Sequence, residues 1–444
     1  MAHPVIKDFT QLAAQASGAP NKQINMLMMG HGKMGKPHLA ALLRYGQWLQ
    51  AVHGVTLNVG VVEKDPVKLA AAPAGVQRFE NMEDALSGFA PGLPLHGVVS
   101  AFNDRDHAPA YRRLFAQRPE VSFILAEKPI TETIEEAREL LPEFSKRYVS
   151  LNTIINFSPA FDVYHASKSM METYFGPLAP IGYQSVWGKD RTQDARPSIG
   201  VRSESIHALG VIQEVLSGED LSLVGGKMKV GYLAAGAQDV PFSVDLHLRT
   251  SRTSVPVDFD CSYELPDQSR RITQYLRSGK GEVFAAEFQF DCITQKDAGR
   301  LDQLSIFQID PSTGHKSLLL RDAPAQVETS LPFGVMPNDK IGAWIGRSMT
   351  DVLHQQFGVM PQQPVRNMSY LNTATVMQEL IETIDVSNHR LDRVFGQQAD
   401  PSCNPPKYMS VDDMEPTALR LLLNRYQGTA SAPKPVVMPL RPAI

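Results

Sequence analysis

The residues whose types and spacing could do chemistry begin at a glycine turn. Gly30-His31-Gly32-Lys33-Met34-Gly35 directly follows the apolar run INMLMM (24–29) and directly precedes the helix-forming stretch KPHLAALLRYGQWLQAV. A G-x-G-x-x-G spacing between a strand and a helix suits a dinucleotide pyrophosphate. Gly30 permits the tight turn, Gly32 lets phosphate approach the backbone, and Gly35 lets helix and strand pack closely. His31, Lys33 and Met34 fill the variable positions of the same turn. The helix N-terminus then offers free N–H groups and the positive end of its dipole. A second apolar run, LNVGVV (57–62), ends at Glu63, 28 residues after Gly35. The usual spacing is about 20, and the loop WLQAVHGVT absorbs the excess. A carboxylate at Glu63 accepts hydrogen bonds from ribose hydroxyls and repels a 2′-phosphate. That favours NAD, while the cation of Lys64 directly behind it leaves NADP open.

The elements that must position this turn alternate. HGVVSAF (96–102) and VSFILA (121–126) are further short apolar runs, with a helical stretch at 108–117 between them. A helix over 133–146, bent or ended by Pro142, leads to a strand at 148–157. Short buried strands alternating with helices predict βαβ units in a parallel sheet. Beyond about residue 160 longer runs alternate apolar and polar: IGYQSVW (181–187), KMKVGYL (227–233), SVDLHLR (243–249), EVFAAEFQF (282–290) and QLSIFQI (303–309). Alternation favours an antiparallel sheet with one face covered. A helix is expected near 369–387, and a proline-rich extended arm from about 398.

The fold class is therefore α/β: an N-terminal Rossmann dinucleotide-binding domain, then an α+β domain with an open, largely antiparallel sheet. The expected partition is a lead at 1–22, the Rossmann domain at 23–155, a substrate and oligomerisation domain at 156–390, and a C-terminal arm at 391–444.

The stretch from Gly30 to Lys36-Pro37-His38, followed about ninety residues later by Glu127-Lys128-Pro129, resembles the glucose–fructose oxidoreductase/inositol dehydrogenase/rhizopine catabolism (Gfo/Idh/MocA) family. The resemblance runs from about 24 to 220, and more loosely to about 390. It implies that Lys128 lies beside the nicotinamide and binds the reacting substrate oxygen, with a cis peptide before Pro129 and Glu127 orienting the lysine. A cation at the C-terminal edge of a parallel sheet suits that role, since it stabilises an alkoxide. The resemblance also implies an Asp-x-Gly-x-His stretch opening a helix of the second domain, matched here by Ser203-Glu204-Ser205-Ile206-His207. His207 falls on the general base. The aspartate position holds Ser203, which shares a helix face with His207 and can bond substrate but supplies no charge. Glu204 points about 100° away. Asn103 and His107, at the end of the 96–102 run, fall where the family lines the cofactor.

On the substrate side, Lys189, Arg191, Arg196 and Arg202 lie in or just after the loop that follows 181–187. Arginine forks bind carboxylate or phosphate at two points, so Arg191 and Arg196 point to a substrate with an anionic group. Asn156 closes the list of substrate candidates. No metal-ligand spacing occurs. Composition narrows the class further. Forty-three Lys plus Arg against 47 Asp plus Glu leave a net charge of −4, which excludes the basic footprint of a general nucleic-acid binder. No apolar run is long enough to span a bilayer. The three cysteines, Cys261, Cys292 and Cys403, are widely spaced and suit a reducing cytoplasm.

These observations predict a nicotinamide-dependent oxidoreductase acting at a carbinol or carbonyl carbon of a sugar, cyclitol or related polar metabolite. The cofactor would be NAD, with NADP admitted. Imine reduction and redox-assisted elimination or glycoside cleavage use the same equipment. The alternative from another class is a dinucleotide-binding sensor without turnover. An open sheet face predicts a homodimer or homotetramer.

Overall fold

The structure is a computed structural model that describes residues 23–89, 91–189, 200–232, 239–263, 269–295, 299–322, 339–356, 391–394 and 409–428. Arg191, Arg196, Cys403, the 1–22 lead and the 369–387 helix lie outside these residues. The chain divides into two compact units, Met1–Ser158 with Gln326–Thr375, and Pro159–Ala325 with Val376–Ile444.

In the first unit, β1 (Gln23–Met29), β2 (Thr56–Val62), β3 (Gln77–Phe79), β4 (Gly97–Ser100), β5 (Phe123–Ala126) and β6 (Tyr148–Leu151) form one sheet in the order β3-β2-β1-β4-β5-β6. Every pairing is parallel. All residues of β4, β5 and β6 are buried, as expected of strands covered on both faces. The helices between them are α1 (Gly35–His53), α2 (Pro66–Ala70), α3 (Met82–Gly88), α4 (His107–Gln117) and α5 (Ile134–Phe144). Pro37 sits in the first turn of α1, where its missing N–H costs nothing. Gly54, at φ 64°, closes the far end in the left-handed conformation, so most of WLQAVHGVT, expected as a loop, is the last turns of α1. Thr133 and Glu136 form a capping box at the start of α5, and Pro142 is accommodated inside it.

The strand predicted over 148–157 is shorter in the structure. It ends at Leu151, and a 3-10 turn follows at Ile154–Asn156. The turn is stabilised locally by the Asn156 amide, which donates to Leu151 O at 2.5 Å.

In the second unit, β7 (Leu178–Gly188), β8 (Leu221–Tyr232), β9 (Asp239–Thr250), β10 (Pro256–Ser262), β11 (Ser269–Ser278), β12 (Val283–Gln295), β13 (Gly299–Ile309), β14 (Lys316–Asp322) and β15 (Leu391–Val394) form a sheet in the order β14-β13-β12-β11-β7-β10-β9-β8-β15. Its pairings are antiparallel except β10 with β7 and β15 with β8. On one face α6 (Ala160–Phe175) packs Phe161, Tyr164 and Phe175 against Phe288 and Phe284. Beside it runs α7 (Arg202–Gly210), which continues as a π-helical stretch to Ser217.

Two segments depart from the expected partition. Helix α8 (Lys340–Gln356), from the stretch assigned to the second domain, belongs with the first unit. Its Trp344 Nε1 donates to Ser150 Oγ on β6 at 2.8 Å, and Ser348 meets the same hydroxyl. The expected extended arm contains α9 (Pro416–Gly428). Leu419, Leu423 and Tyr426 of α9 bury against Tyr275, Val283, Ala285 and Phe307 of the sheet. The prolines on either side of it gave the arm its extended look, whereas PTALRLLLNRYQG carries leucines at helical spacing.

Candidate functional site

The first unit brings its candidate residues to the carboxyl ends of its strands. Its strand order places the reversal between β1 and β4, where an open α/β sheet leaves a crevice. Gly30 leaves β1 there with φ 97°, and its N–H donates to Val62 O at 2.8 Å. A Cβ on Gly30 would stand 2.7 Å from Ala101 O, after β4. A Cβ on Gly35 would stand 2.1 Å from Gly30 O, so helix and turn touch backbone to backbone. Gly32 is different: a Cβ there meets nothing within 4 Å. The packing of the protein itself does not need a glycine at that point, and the space in front of it is open. Helix α1 starts at Gly35 without any side-chain cap. Lys36 N–H donates to Gly32 O at 3.1 Å and Pro37 has no N–H, so what this end offers an anion is chiefly the positive end of the helix dipole. Lys33 and Met34 are exposed on the turn.

His31 is buried, and its ring Nδ1 is 2.8 Å from Lys68 O. Its backbone N–H donates to Glu63 Oε2 at 2.8 Å, and Asp65 N–H donates to Glu63 Oε1 at 3.0 Å. Glu63 therefore ties the end of β2 to the glycine turn. Each oxygen keeps a lone pair for a further donor such as a ribose hydroxyl. Lys64 is 80% exposed, with Nζ 3.6 Å from Asp106 Oδ2.

At the end of β5, Glu127 is buried and Lys128 partly so, and the Lys128–Pro129 peptide is cis, as the resemblance implied. His38, from the first turns of α1, has Nε2 2.9 Å from Glu127 Oε1, and Asn152 Nδ2 donates to the same oxygen at 2.7 Å. Burial pushes the Glu127 carboxyl up. The His38 ring, the Asn152 amide and the Lys128 charge outweigh it and hold the group below the ordinary carboxylate range. The edge of the Trp344 ring system closes on His38, with centroids 5.4 Å apart. His107 is fully buried with Nδ1 2.7 Å from Pro129 O, and its Nε2 has no hydrogen-bond partner. It is thus a support of the Lys128–Pro129 turn. Asn103 is exposed at the end of β4. Asn156 also lies in this unit, its amide spent on Leu151 O.

Sequence reasoning passed over His38, although it stands in the quoted motif. Its signal was its position three residues past Gly35 on a helix facing the sheet. Nothing local announced Trp344, more than 300 residues away.

The second unit carries His207 on α7. The His207 ring stacks on Trp187 of β7, with centroids 5.8 Å apart and planes 30° off parallel. Ser203 Oγ donates to Gly200 O at 3.1 Å and lies 3.0 Å from Tyr263 Oη. The neighbouring Glu204, set aside in the sequence as a poor substitute, is 2% exposed. Its Oε1 is 3.0 Å from Lys189 Nζ and its Oε2 3.1 Å from Arg270 Nη2. Among the described residues no cluster could hold a metal ion.

No family model and no curated protein matches the sequence. Solved structures do. The 3-ketoreductase KijD10 from Actinomadura kijaniata, solved with TDP-benzene and NADP, is 14% identical with a TM-score of 0.57, covering 84% of this chain and 99% of its own. The super-repressor mutant of Gal80p from Saccharomyces cerevisiae is 14% identical with a TM-score of 0.57, covering 82% and 96%. The fold is Gfo/Idh/MocA-like. UDP-N-acetylglucosamine 3-dehydrogenase GnnA from Acidithiobacillus ferrooxidans, at 14% identity and a TM-score of 0.53, covers 82% and 97%. Within this Gfo/Idh/MocA-like fold the parallel sheet and the larger, mostly antiparallel sheet are the two expected domains.

Proposed function

We propose that the chain is a nicotinamide-dependent oxidoreductase acting on a carbinol or carbonyl carbon of a sugar, cyclitol or related polar metabolite. The observation that carries this reading is the glycine turn. Two of its glycines have no room for a Cβ and the middle one faces open space, at the uncapped start of a 19-residue helix. A bound nicotinamide dinucleotide supplies or accepts the hydride.

The chain's own residues do the rest. The N-terminal end of α1 and the backbone of the Gly30–Gly35 turn hold the pyrophosphate, and Glu63 accepts from the ribose. Lys128 holds the reacting oxygen and stabilises its negative charge. His207 takes the hydroxyl proton, or returns it in the reverse direction. Glu63 makes NAD the preferred cofactor, and Lys64 is the group that would answer a 2′-phosphate. That one of the similar structures is named a 3-ketoreductase and another a UDP-N-acetylglucosamine 3-dehydrogenase supports the substrate class. Lys189, Arg191 and Arg196 fit a substrate with an anionic group.

The test is titration of the purified protein with NADH and NADPH, followed by nicotinamide fluorescence. A panel of polyols, keto-sugars and sugar nucleotides is then screened by absorbance. Binding of one dinucleotide, with turnover lost in Lys128→Met, is the expected result. If neither dinucleotide binds, the reading is wrong. Ser203 and the likeness to Gal80p favour a second reading, a dinucleotide-binding regulator. Tight binding with no turnover on any panel member would establish it. Imine reduction or a redox-assisted elimination would appear in the same screen as turnover on imines or glycosides alone.

Among the described residues no helix is long and apolar enough to cross a membrane. We place the protein in the cytoplasm, as a homodimer or homotetramer joined through the part of the large sheet that α9 leaves uncovered. Light scattering on the eluted protein tests the oligomer.

A further inference from the structure

The resemblance implies a carboxylate at position 203, and the chain has a hydroxyl committed to Gly200 O and Tyr263. The carboxylate next to it has a setting that calls for an explanation. Glu204 is buried between two cations, Lys189 and Arg270. Arg270 is held from its other side by Asp291. Burial opposes the Arg270 charge, and the two carboxylates outweigh it. The guanidinium Cζ stands 5.6 Å from the centre of the Trp187 ring. Trp187 is fully buried, and its indole Nε1 makes no hydrogen bond. No polar contact fixes the indole plane, so packing alone does: Phe290 at 5.7 Å, the Arg270 guanidinium, and the His207 ring at 5.8 Å.

We infer that Glu204 is a positioning residue for His207, acting through Arg270 and Trp187. A planar guanidinium stacks well on an aromatic face, but only if its own rotation is fixed. Glu204 and Asp291 fix it by engaging different nitrogens of the fork. The indole held in this way is the plate on which the imidazole lies. A buried ion pair adds little net stability compared with apolar residues of the same volume, and its best-attested use is to specify one arrangement. Here the arrangement specified is that of the His207 ring. The carboxylate that the resemblance implies at residue 203 is thereby supplied from residue 204, and it acts through two strands of the sheet.

The functional meaning of this relay rests on the reading of His207 as the proton-exchanging group, but its geometry does not. The test therefore reads the ring itself. Full-length protein is labelled at the histidine Cε1 positions, and the His207 NMR signal is identified by its loss in His207→Gln. Stacking on an indole shifts that signal away from the value of a free imidazole. Arg270→Lys keeps a positive charge facing both carboxylates and loses the planar group. It is expected to fold and to move the His207 signal at least halfway to the free value. Glu204→Gln is expected to do the same, and Glu204→Asp to restore most of the wild-type shift.

A His207 signal that stays in place in Arg270→Lys overturns the relay. If no dinucleotide binds the wild type, the oxidoreductase reading falls while the ring measurement still decides the relay. If turnover is found, Arg270→Lys should lower kcat by about ten- to a hundredfold with KM unchanged.

Discussion

The end of β5 and the start of α7 each present one of the two groups proposed for the chemistry, and the chain fixes them in different ways. Around Lys128 the residues of the motif are held by local backbone and by near neighbours, although His107, expected to line the cofactor, is buried instead. Glu127 is buried beside it, the Lys128–Pro129 peptide is cis, and His107 supports Pro129 O. Around His207 the match breaks at Ser203. The buried charge is found one residue on, tied to β11 through Arg270 and so to the Trp187 plate. The difference teaches which features can move. A glycine turn or a strand end is set by backbone, and neighbouring segments cannot supply it. A charge can be supplied from any segment that reaches the same volume.

The largest effect that would break or sharpen this comparison lies in the backbone-defined region. Gly35→Ala places a Cβ 2.1 Å from Gly30 O, backbone against backbone. It should cost at least about 3 kcal/mol in urea unfolding, at the upper end of single substitutions. Gly32→Ala meets nothing within 4 Å. It should unfold at the wild-type midpoint yet bind dinucleotide at least about tenfold more weakly, because a methyl group stands where phosphate approaches. Equal dinucleotide affinity in folded Gly32→Ala would show that the turn is ordinary chain reversal.

Next in size is Lys128→Met. The Lys128 charge is the smallest of the causes that hold Glu127 ionised, so unfolding should shift only slightly. Turnover should fall by about a hundred- to a thousandfold, the usual cost of removing one donor to a developing oxyanion. A variant that keeps most of its activity moves the reacting oxygen elsewhere.

A smaller effect tests the other region. Ser203→Asp writes the family residue back into the sequence, but the carboxylate would be buried against the Gly200 carbonyl oxygen and Tyr263. Two acceptors then face each other out of water, so the variant should lose about 1–3 kcal/mol without gaining activity. A rise in turnover would show that position 203, and not the Glu204 relay, governs His207.

The contrast also explains what the sequence could reveal. The first domain was legible because its strands are short continuous apolar runs and its turn residues are local. β1, β2, β4 and β5 fall where INMLMM, LNVGVV, HGVVSAF and VSFILA stand. β3, only Gln77–Phe79, is too short to show a period. The sheet of the second unit was legible in part. β10 carries PVDFDCS, a short alternation whose polar positions are Asp258 and Asp260, and β11 carries SRRITQYLRS, in which the alternation breaks down. Asp258 and Arg270 are paired across segments. Arg425 of α9 meets Asp258, and Glu204 meets Arg270. Such pairings, like Trp344 against His38, join residues that nothing in the local sequence connects. The same reason hid Glu204: its value depends on Arg270, 66 residues on.

The smallest effect concerns two buried carboxyls, one in each unit, that titrate in opposite directions. Glu127 is held below its ordinary value of 4.5 by His38, Asn152 and Lys128 against the cost of burial. As pH falls, the unfolded chain takes up its proton first. The stability that Glu127 contributes is therefore complete above about 4.5 and is lost as pH falls through the lower folded value. Glu287, on β12, is pushed above 4.5 by burial, which Arg271 and the Val411 N–H only partly offset. There the folded protein holds the proton longer, so stability declines as pH rises from about 4.5 through the higher folded value. Urea midpoints measured between about pH 3 and pH 7 should show both slopes. Glu127→Gln should flatten the acid side and Glu287→Gln the neutral side, each by on the order of 1 kcal/mol. In Glu287→Gln the amide oxygen can still accept from Val411 N–H, now 2.7 Å from the carboxylate, so α9 and the segment before it should stay seated on the sheet. A Glu127→Gln curve that superimposes on the wild type would mean that the His38 contact carries no charge-dependent stability. The analogy between the Glu127 and Glu204 clusters, each a buried carboxylate serving a neighbour, would then fail on the side where the sequence looked clearest.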